Sequence, residues 1–391
     1  MSVMVAPPGL SNVVVADTAI GDVRGDEGFY QYRQYSAIDL ARTKTFEEVW
    51  FLFVYGRLPD PDELDAFVVT TRALRAIPAD LSSLLRTIAL AGNERQMLAR
   101  LRTVLSAAAA TTSVVPLWDA GPDQRIADSL AATAMTPTIL AALHRIREGE
   151  DPLPPRDDLS TAENWLYGLT GKKPEPERAR AIEQYLIATV DHGFNASTFT
   201  ARVIASTGAD VFSAVCGALG AFSGPLHGGA PDRALDALDE IAETGDATAW
   251  AKAQLAGRSR IMGFGHAVYR TNDPRSDLLR DIASRLGGPL AEFAIDVEKD
   301  VVAVLAEAYP NRPLYANVEF YAGVVMDSCG VPRQMFTPTF AVSRMVAGAP
   351  IFSSRPRIAR SFGRAPDTSA HRLFGEPGGP GEVISPGPGV G

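Results

Sequence analysis

The sequence predicts an all-α protein with almost no sheet, and three observations carry that expectation. Apolar residues recur at the 3.6-residue spacing of amphipathic helices along most of the 391 residues. Capping and stop signals punctuate those runs. Strand-like alternation is confined to one short stretch near the start.

Taken in order, "SNVVVADTAIGDV" (11–23) predicts a short hairpin. "DLARTKTFEEVWFLFVYGRLP" (39–59) follows as helix, with Thr45 as a candidate N-cap and glutamates in the next turn. "PDELDAFVVTTRALRAI" (61–77), "RQMLARLRTVLSAAAAT" (95–111), "RIADSLAATAMTPTILAALHRIREG" (125–149) and "PERARAIEQYLIATVDH" (176–192) share the helical period. So do "PDRALDALDEIAE" (231–243), "DLLRDIASRLG" (277–287) and "PLAEFAIDVEKDVVAVLAEAYP" (289–310). Between them, "REGEDPLPPRDDLSTAEN" (147–164) is polar and proline-rich and reads as an exposed excursion. The final "GEPGGPGEVISPGPGVG" lacks the apolar residues a core needs and reads as disordered.

A net charge of −9 argues against a nucleic-acid partner. The two cysteines, Cys216 and Cys329, have no metal-ligand spacing and suit a reducing cytoplasm. Metal binding is disfavoured because no His or Cys pair falls at i,i+3 or i,i+4. The first residues lack a basic, then apolar, leader pattern. The run from Val211 to Gly224 is too short to span a bilayer.

Five histidines are spread along the chain, and His144 and His371 read as ordinary core or surface residues. His227 in "SGPLHGGAPDRAL" and His266 in "IMGFGHAVYRTNDPRS" differ, because flanking glycines let backbone amides approach a ligand closely. A loop opening onto a helix N-terminus also favours a neutral imidazole, which donates a hydrogen bond at physiological pH. His192 stands in "DHGFNASTFTARVIAST". Glu319 in "YANVEFYAGVVM", preceded by Asn317, sits among apolar residues. Burial there would raise its pKa toward the range of a general base, while a solvated glutamate at a helix start is the competing reading.

In combination these stretches resemble the citrate synthase family, from about Gly9 to Ala347. "GLSNVVVADTAIGDV", "YRQYSAIDLA" and "TFEEVWFLFVYGRLP" are similar to its N-terminal signature. "HGFNASTFTARVIASTGADVFSAVCGALGAFSGPLHGGA" is similar to its central core, and "MGFGHAVYRTNDPR" with "NVEF" to its active-site loops. The resemblance implies an enzyme of the tricarboxylic acid cycle, an acyltransferase condensing acetyl-CoA with oxaloacetate. It implies a helical homodimer whose large and small domains close on the substrates, with coenzyme A as co-substrate and no permanent cofactor. On this reading residues 1–224, completed by 330–348, form the large domain and 225–329 the small one.

The resemblance also assigns roles. His227 would hydrogen-bond the thioester carbonyl as it becomes an enol, and His266 would polarise the ketone of oxaloacetate. His192, Arg275 and Arg344 would hold carboxylates, for which arginine's planar fork is suited; Asn317 is grouped with them. Arg258 and Arg260, with Gly263 and Gly265, would seat coenzyme A, against the plainer reading of a solvated charge run. Glu319 falls where most members carry aspartate as the base. The extra methylene displaces a carboxylate by about 1.5 Å, and roughly 1 Å of misplacement can cost a hundredfold in rate. A 2-methylcitrate synthase using propionyl-CoA, or an impaired homologue that binds ligand or only dimerises, are the alternatives.

The pattern breaks after "SRMVAG". The family expects a Trp-x-Ala-His-x-x-Glu-Gln helix, where this chain reads "APIFSSRPRIARSFGRAPDTSAHRLF". Codons permitted for Ala349 to Pro356, read two bases later, encode Ala-His-Leu-Leu-Glu-Gln-Ala, and Phe362 to Ala370 admit an Arg-Pro-Ser reading in the same shifted frame. The expectation is a frameshifted, disordered tail over 349–391 that lacks the arginine members send into the partner's active site.

Overall fold

The computed structural model describes residues 17–93, 96–224, 227–228, 231–266 and 268–353. Three short strands open it: β1 (Gly21–Arg24), β2 (Phe29–Tyr32) and β3 (Tyr35–Ser36). They form an antiparallel meander in which Gly21 faces Tyr32, Arg24 faces Phe29, and Gln31 faces Ser36. The described strands thus begin at the far end of the expected hairpin, whose opening residues 11–16 lie outside the described ones. The sheet is tied down by side chains of β2. The Tyr30 and Tyr32 hydroxyls donate to the carbonyls of Ala188 and Ile187 at 2.8 and 2.9 Å.

The other regular structure among the described residues is helical, in agreement with the expected class. The stretch 39–59 is divided: α1 (Ala37–Thr43) ends at an extended Lys44, and α2 (Phe46–Tyr55) starts afresh. Thr45 caps α2 with a full capping box through Glu48. The helices α3 (Pro61–Ala73), α4 (Ala79–Leu90), α5 (Met97–Thr111), α6 (Pro122–Arg147), α7 (Thr161–Thr170) and α8 (Pro176–Ala188) follow. The proline-rich excursion runs from Glu148 to Ser160, where Ser160 caps α7. α6 is long and apolar enough to cross a membrane by composition, yet most of that stretch is buried among other helices. A core helix apolar on every side passes the same test.

Next come α9 (Ala196–Ser206), α10 (Val211–Phe222), α11 (Pro231–Thr244), α12 (Ala247–Ala256), α13 (Pro274–Leu286), α14 (Pro289–Ala308), α15 (Val318–Ser328) and α16 (Phe336–Met345). Helices α4, α5, α7 and α10 pack round α6, and α9 lies on α10. A second group joins α11 to α15, α12 to α14, and α13 to α15. The groups meet where α8 touches α13 and α15. The loop that follows α8 therefore lies near those before α13 and α15.

A five-residue helix, α17 (Ala349–Ser353), stands where the sequence placed the start of a structureless tail. Pro350 falls in its first turn, where the missing N–H breaks no helical bond. Phe352 is 1% exposed and packs on Gly348. The remainder of the tail, from 354, lies outside the described residues.

Candidate active site

His192 follows α8, half-buried in the loop that leads to α9. Its ring lies 5.5 Å from Tyr30, 5.3 Å from Tyr269 and 5.4 Å from His266. His192 Nε2 and the Tyr269 hydroxyl are 2.8 Å apart. Burial, reinforced by the positive charges of Arg275 and Arg344, holds this imidazole well below its ordinary pKa. At neutral pH it is an uncharged donor or acceptor.

His266 is fixed by its own loop. Its Nδ1 accepts the N–H groups of Val268 and Tyr269 at 2.9 and 3.0 Å. Burial and the Arg275 charge push its pKa down to about 4, so the ring is neutral and its proton resides on Nε2. That nitrogen faces Arg275 Nη2 at 3.2 Å. A guanidinium has no acceptor. Two donors thus lie side by side, an arrangement that an acceptor oxygen within reach of both would satisfy.

Arg275 sits in the first turn of α13, 4% exposed. Its Nε and Nη2 donate to the two Asp273 oxygens at 2.9 and 2.8 Å. Asp273 also accepts the backbone N–H of Arg275 and of Val318, at 3.0 and 3.1 Å. Burial alone would raise the Asp273 pKa, but the charge and hydrogen bonds of Arg275 leave it below the ordinary value. The pair braces the start of α13 against the start of α15, which carries Glu319.

Asn317 caps α15, accepting the Glu319 N–H at 3.0 Å, while its Nδ2 donates to the Gly265 carbonyl at 2.9 Å. Its own N–H reaches the Gly263 carbonyl at 2.8 Å. This side chain, expected among the substrate ligands, staples the His266 loop to α15. Glu319 follows, with a largely buried carboxylate. Burial raises its pKa to about 7; Asp273 pushes in the same direction and Arg275 and Arg260 oppose it.

On the other wall, His227 lies after α10. Its N–H donates to the Gly224 carbonyl and the next N–H, of Gly228, to the Phe222 carbonyl, both at 3.0 Å. A Cβ on Gly228 would come within 2.6 Å of that Phe222 oxygen, so this turn requires glycine. The Ser197 N–H, at the start of α9, donates to His227 Nε2 at 3.3 Å, and the Ser197 hydroxyl is 2.9 Å from the same nitrogen. An accepting Nε2 leaves the ring proton on Nδ1. Burial and the Arg344 charge lower the pKa to about 4.

Arg344, near the end of α16, is 9% exposed. It lies over the rings of Phe340 and Phe222 at 4.9 and 5.8 Å. The Phe222 ring in turn packs on His227 at 5.2 Å. Two of its nitrogens make long bonds, 3.3 and 3.4 Å, to the Thr189 carbonyl, and Nη1 is buried with no partner among the described residues. A buried cationic donor left open is what an anionic ligand satisfies. Arg344 and Ser197 both line a hollow closed by α17 through Phe352. A second hollow runs past His266, Arg270 and Arg312.

Arg258 and Arg260 are exposed on the loop after α12, Arg258 with a positive φ of 55°. Gly263 and Gly265 flank the bridge between Phe264 and Ala316, also with positive φ. Several residues of the site, Tyr269 and Ser197 among them, are not singled out by the sequence. Asp273 carried a signal, since Asp-Pro opening an apolar run is a helix start. Asn195, which caps α9, carried the same kind of signal. Asp191 did not; it is buried, accepts from Asn195 at 3.1 Å, and is raised to about 6 by burial against the pull of Arg344.

The buried histidines, arginines and carboxylates gathered here suit the active site of an enzyme, and comparison with known proteins places it further. Residues 9–349 match the family described as citrate synthase, C-terminal domain. Citrate synthase of Synechocystis is 36% identical over 347 residues, covering 87% of this chain and 84% of that protein. Citrate synthase of Deinococcus radiodurans is 35% identical over 338 residues, covering 86% and 88%. Among solved structures, the ternary complex of citrate synthase from Thermoplasma acidophilum with carboxymethyl coenzyme A and oxaloacetate superposes with a TM-score of 0.83. It is 26% identical and covers 98% of this chain and 99% of that one. The chain belongs to the citrate synthase family. It is an acyltransferase of the citrate synthase type.

Proposed function

We propose that the enzyme condenses acetyl-CoA with oxaloacetate and water, giving citrate and free coenzyme A. The observation that carries this reading is Glu319, a carboxylate held to about 7 by burial beside the Asp273–Arg275 pair. A base for a methyl proton next to a thioester needs that poise. Glu319 removes the proton, and His227, protonated at Nδ1, donates to the thioester oxygen as the enol forms. The nucleophilic carbon then attacks the ketone carbon of oxaloacetate as the enol proton returns to His227, and the ketone oxygen, within reach of His266 Nε2 and Arg275, takes the Nε2 proton of His266. Water cleaves the resulting citryl thioester, releasing the thiol. Arg344 and Arg275 hold carboxylates, with His192 alongside. The Thermoplasma enzyme, complexed with carboxymethyl coenzyme A and oxaloacetate, supports the ligand classes.

Arg258 and Arg260, with Gly263 and Gly265, are assigned to coenzyme A. Residues 1–224 with 330–348 are assigned to a large domain and 225–329 to a small one, in a cytoplasmic homodimer; family membership supports both assignments. Phe320 and Tyr321, which follow Glu319, are core residues, 1% and 0% exposed, and the Tyr321 hydroxyl donates to Glu298 at 2.5 Å. Thiol release with each thioester and oxaloacetate tests the reading. Faster release from acetyl-CoA is expected; preference for propionyl-CoA assigns methylcitrate formation, and release from neither marks an impaired homologue.

A further inference from the structure

The turn of the N-terminal meander touches the His266 loop more closely than any side chain allows. Gly25, just after β1, presents its Cα to the peptide joining Val268 and Tyr269. A Cβ there would overlap the Val268 carbonyl oxygen and stand 2.9 Å from the carbonyl carbon. Real Cβ atoms do not approach backbone so closely. Gly25 has no positive φ, so it is space, not backbone conformation, that demands glycine.

The same peptide plane has a second end. Its N–H belongs to Tyr269 and is one of the two donors that hold His266 Nδ1, at 3.0 Å. One residue on, the Arg270 N–H donates back to the Gly25 carbonyl at 3.0 Å. Three residues beyond Gly25, Gly28 also comes close: its Cβ would lie 2.7 Å from the Thr271 hydroxyl oxygen, and its φ of 61° favours glycine besides. The meander is anchored at its far side, since Tyr30 bonds to the end of α8 and packs on His192.

From this contact we infer that the turn from Arg24 to Gly28 is a clasp that positions His266, with Gly25 as the residue whose bareness sets the tilt of the Val268–Tyr269 peptide and hence the tautomer and aim of the imidazole. Gly25 is a positioning residue; it meets no substrate. The inference rests on the proposed function for its effect on oxaloacetate, but not for its effect on the histidine.

The test uses the full chain with 15N-labelled histidine, the parent beside Gly25→Ala, and Asp26→Ala as an exposed control on the same turn. In the parent and in Asp26→Ala, His266 shows an unprotonated Nδ1 and a protonated Nε2. In Gly25→Ala that single-tautomer signature is lost. A displacement of about 1 Å at a positioned group costs on the order of a hundredfold in rate, so turnover with oxaloacetate falls roughly ten- to a hundredfold. Saturation by acetyl-CoA stays within about threefold of the parent, because the clasp does not touch the opposite wall; a general loss of structure would not allow that. A folded Gly25→Ala with the parental histidine signature overturns the clasp. If the parent does not bind oxaloacetate, the functional reading falls while the histidine signature still decides the clasp. Should Gly25→Ala not fold, Gly28→Ala carries the test. It presses on the Thr271 side chain, and a mixed His266 tautomer signature supports the clasp where a parental one overturns it.

Discussion

Replacing Glu319 with glutamine should make the protein more stable at alkaline pH and leave it nearly unchanged in acid. The side chains are nearly isosteric, and the change removes only the capacity to ionise. Burial raises the Glu319 pKa from 4.5 to about 7, so the folded state holds a proton that the unfolded chain releases earlier. Above the unfolded value the parent therefore loses stability as pH rises, and the loss is complete above about 7. At about 1.36 kcal/mol per pKa unit, the displacement corresponds to about 3 kcal/mol. Glutamine escapes that penalty. Urea unfolding of both proteins at about pH 5 and about pH 8.5, followed by circular dichroism, gives the comparison. The variant should exceed the parent by about 2–3 kcal/mol at the higher pH and by much less at the lower. A difference that does not change with pH would mean that Glu319 is solvated, and the argument for its basicity would collapse.

Two further substitutions address the opposing wall. His227→Ala should lower turnover by about 10²–10³ while oxaloacetate affinity changes little, because the Nδ1 contact strengthens only as the enol forms; steady-state kinetics with oxaloacetate varied separates the two, and equal losses would give His227 a different ligand. Arg344→Leu should weaken oxaloacetate by about tenfold or more, as expected for a charge-assisted bond, with little loss of folding stability because its internal bonds are long; unchanged oxaloacetate titration would remove it from the site.

Much of this architecture is legible in the sequence. Helices such as α3, α5, α11 and α14 advertise themselves through their period, α3 with a capping box as well, and α6 reads through Pro137 because its apolar residues continue on both sides. The division between α1 and α2 shows in the sequence only at Thr45, whose capping signal interrupts a periodicity that otherwise runs across Lys44. α17 is hidden. Its proline looks like a breaker, yet Phe352 finds a buried seat that local sequence does not describe. In the site, glycine-flanked histidines stand out because close backbone approach restricts composition. Whether a side chain turns toward ligand or into the fold is a tertiary matter. Asn317 illustrates it, as does Gly25, whose requirement is created by a loop far along the chain at Val268.

The central claim is that Glu319 takes the first proton. Exchange of the acetyl-CoA methyl protons with deuterated solvent, in the presence of an oxaloacetate analogue that cannot condense, reports that step alone. The parent should exchange readily, and Glu319→Gln should fall by about 10²–10⁴ with both ligands still bound. Exchange at the parental rate in Glu319→Gln would assign the base to another residue and contradict the account at its first step.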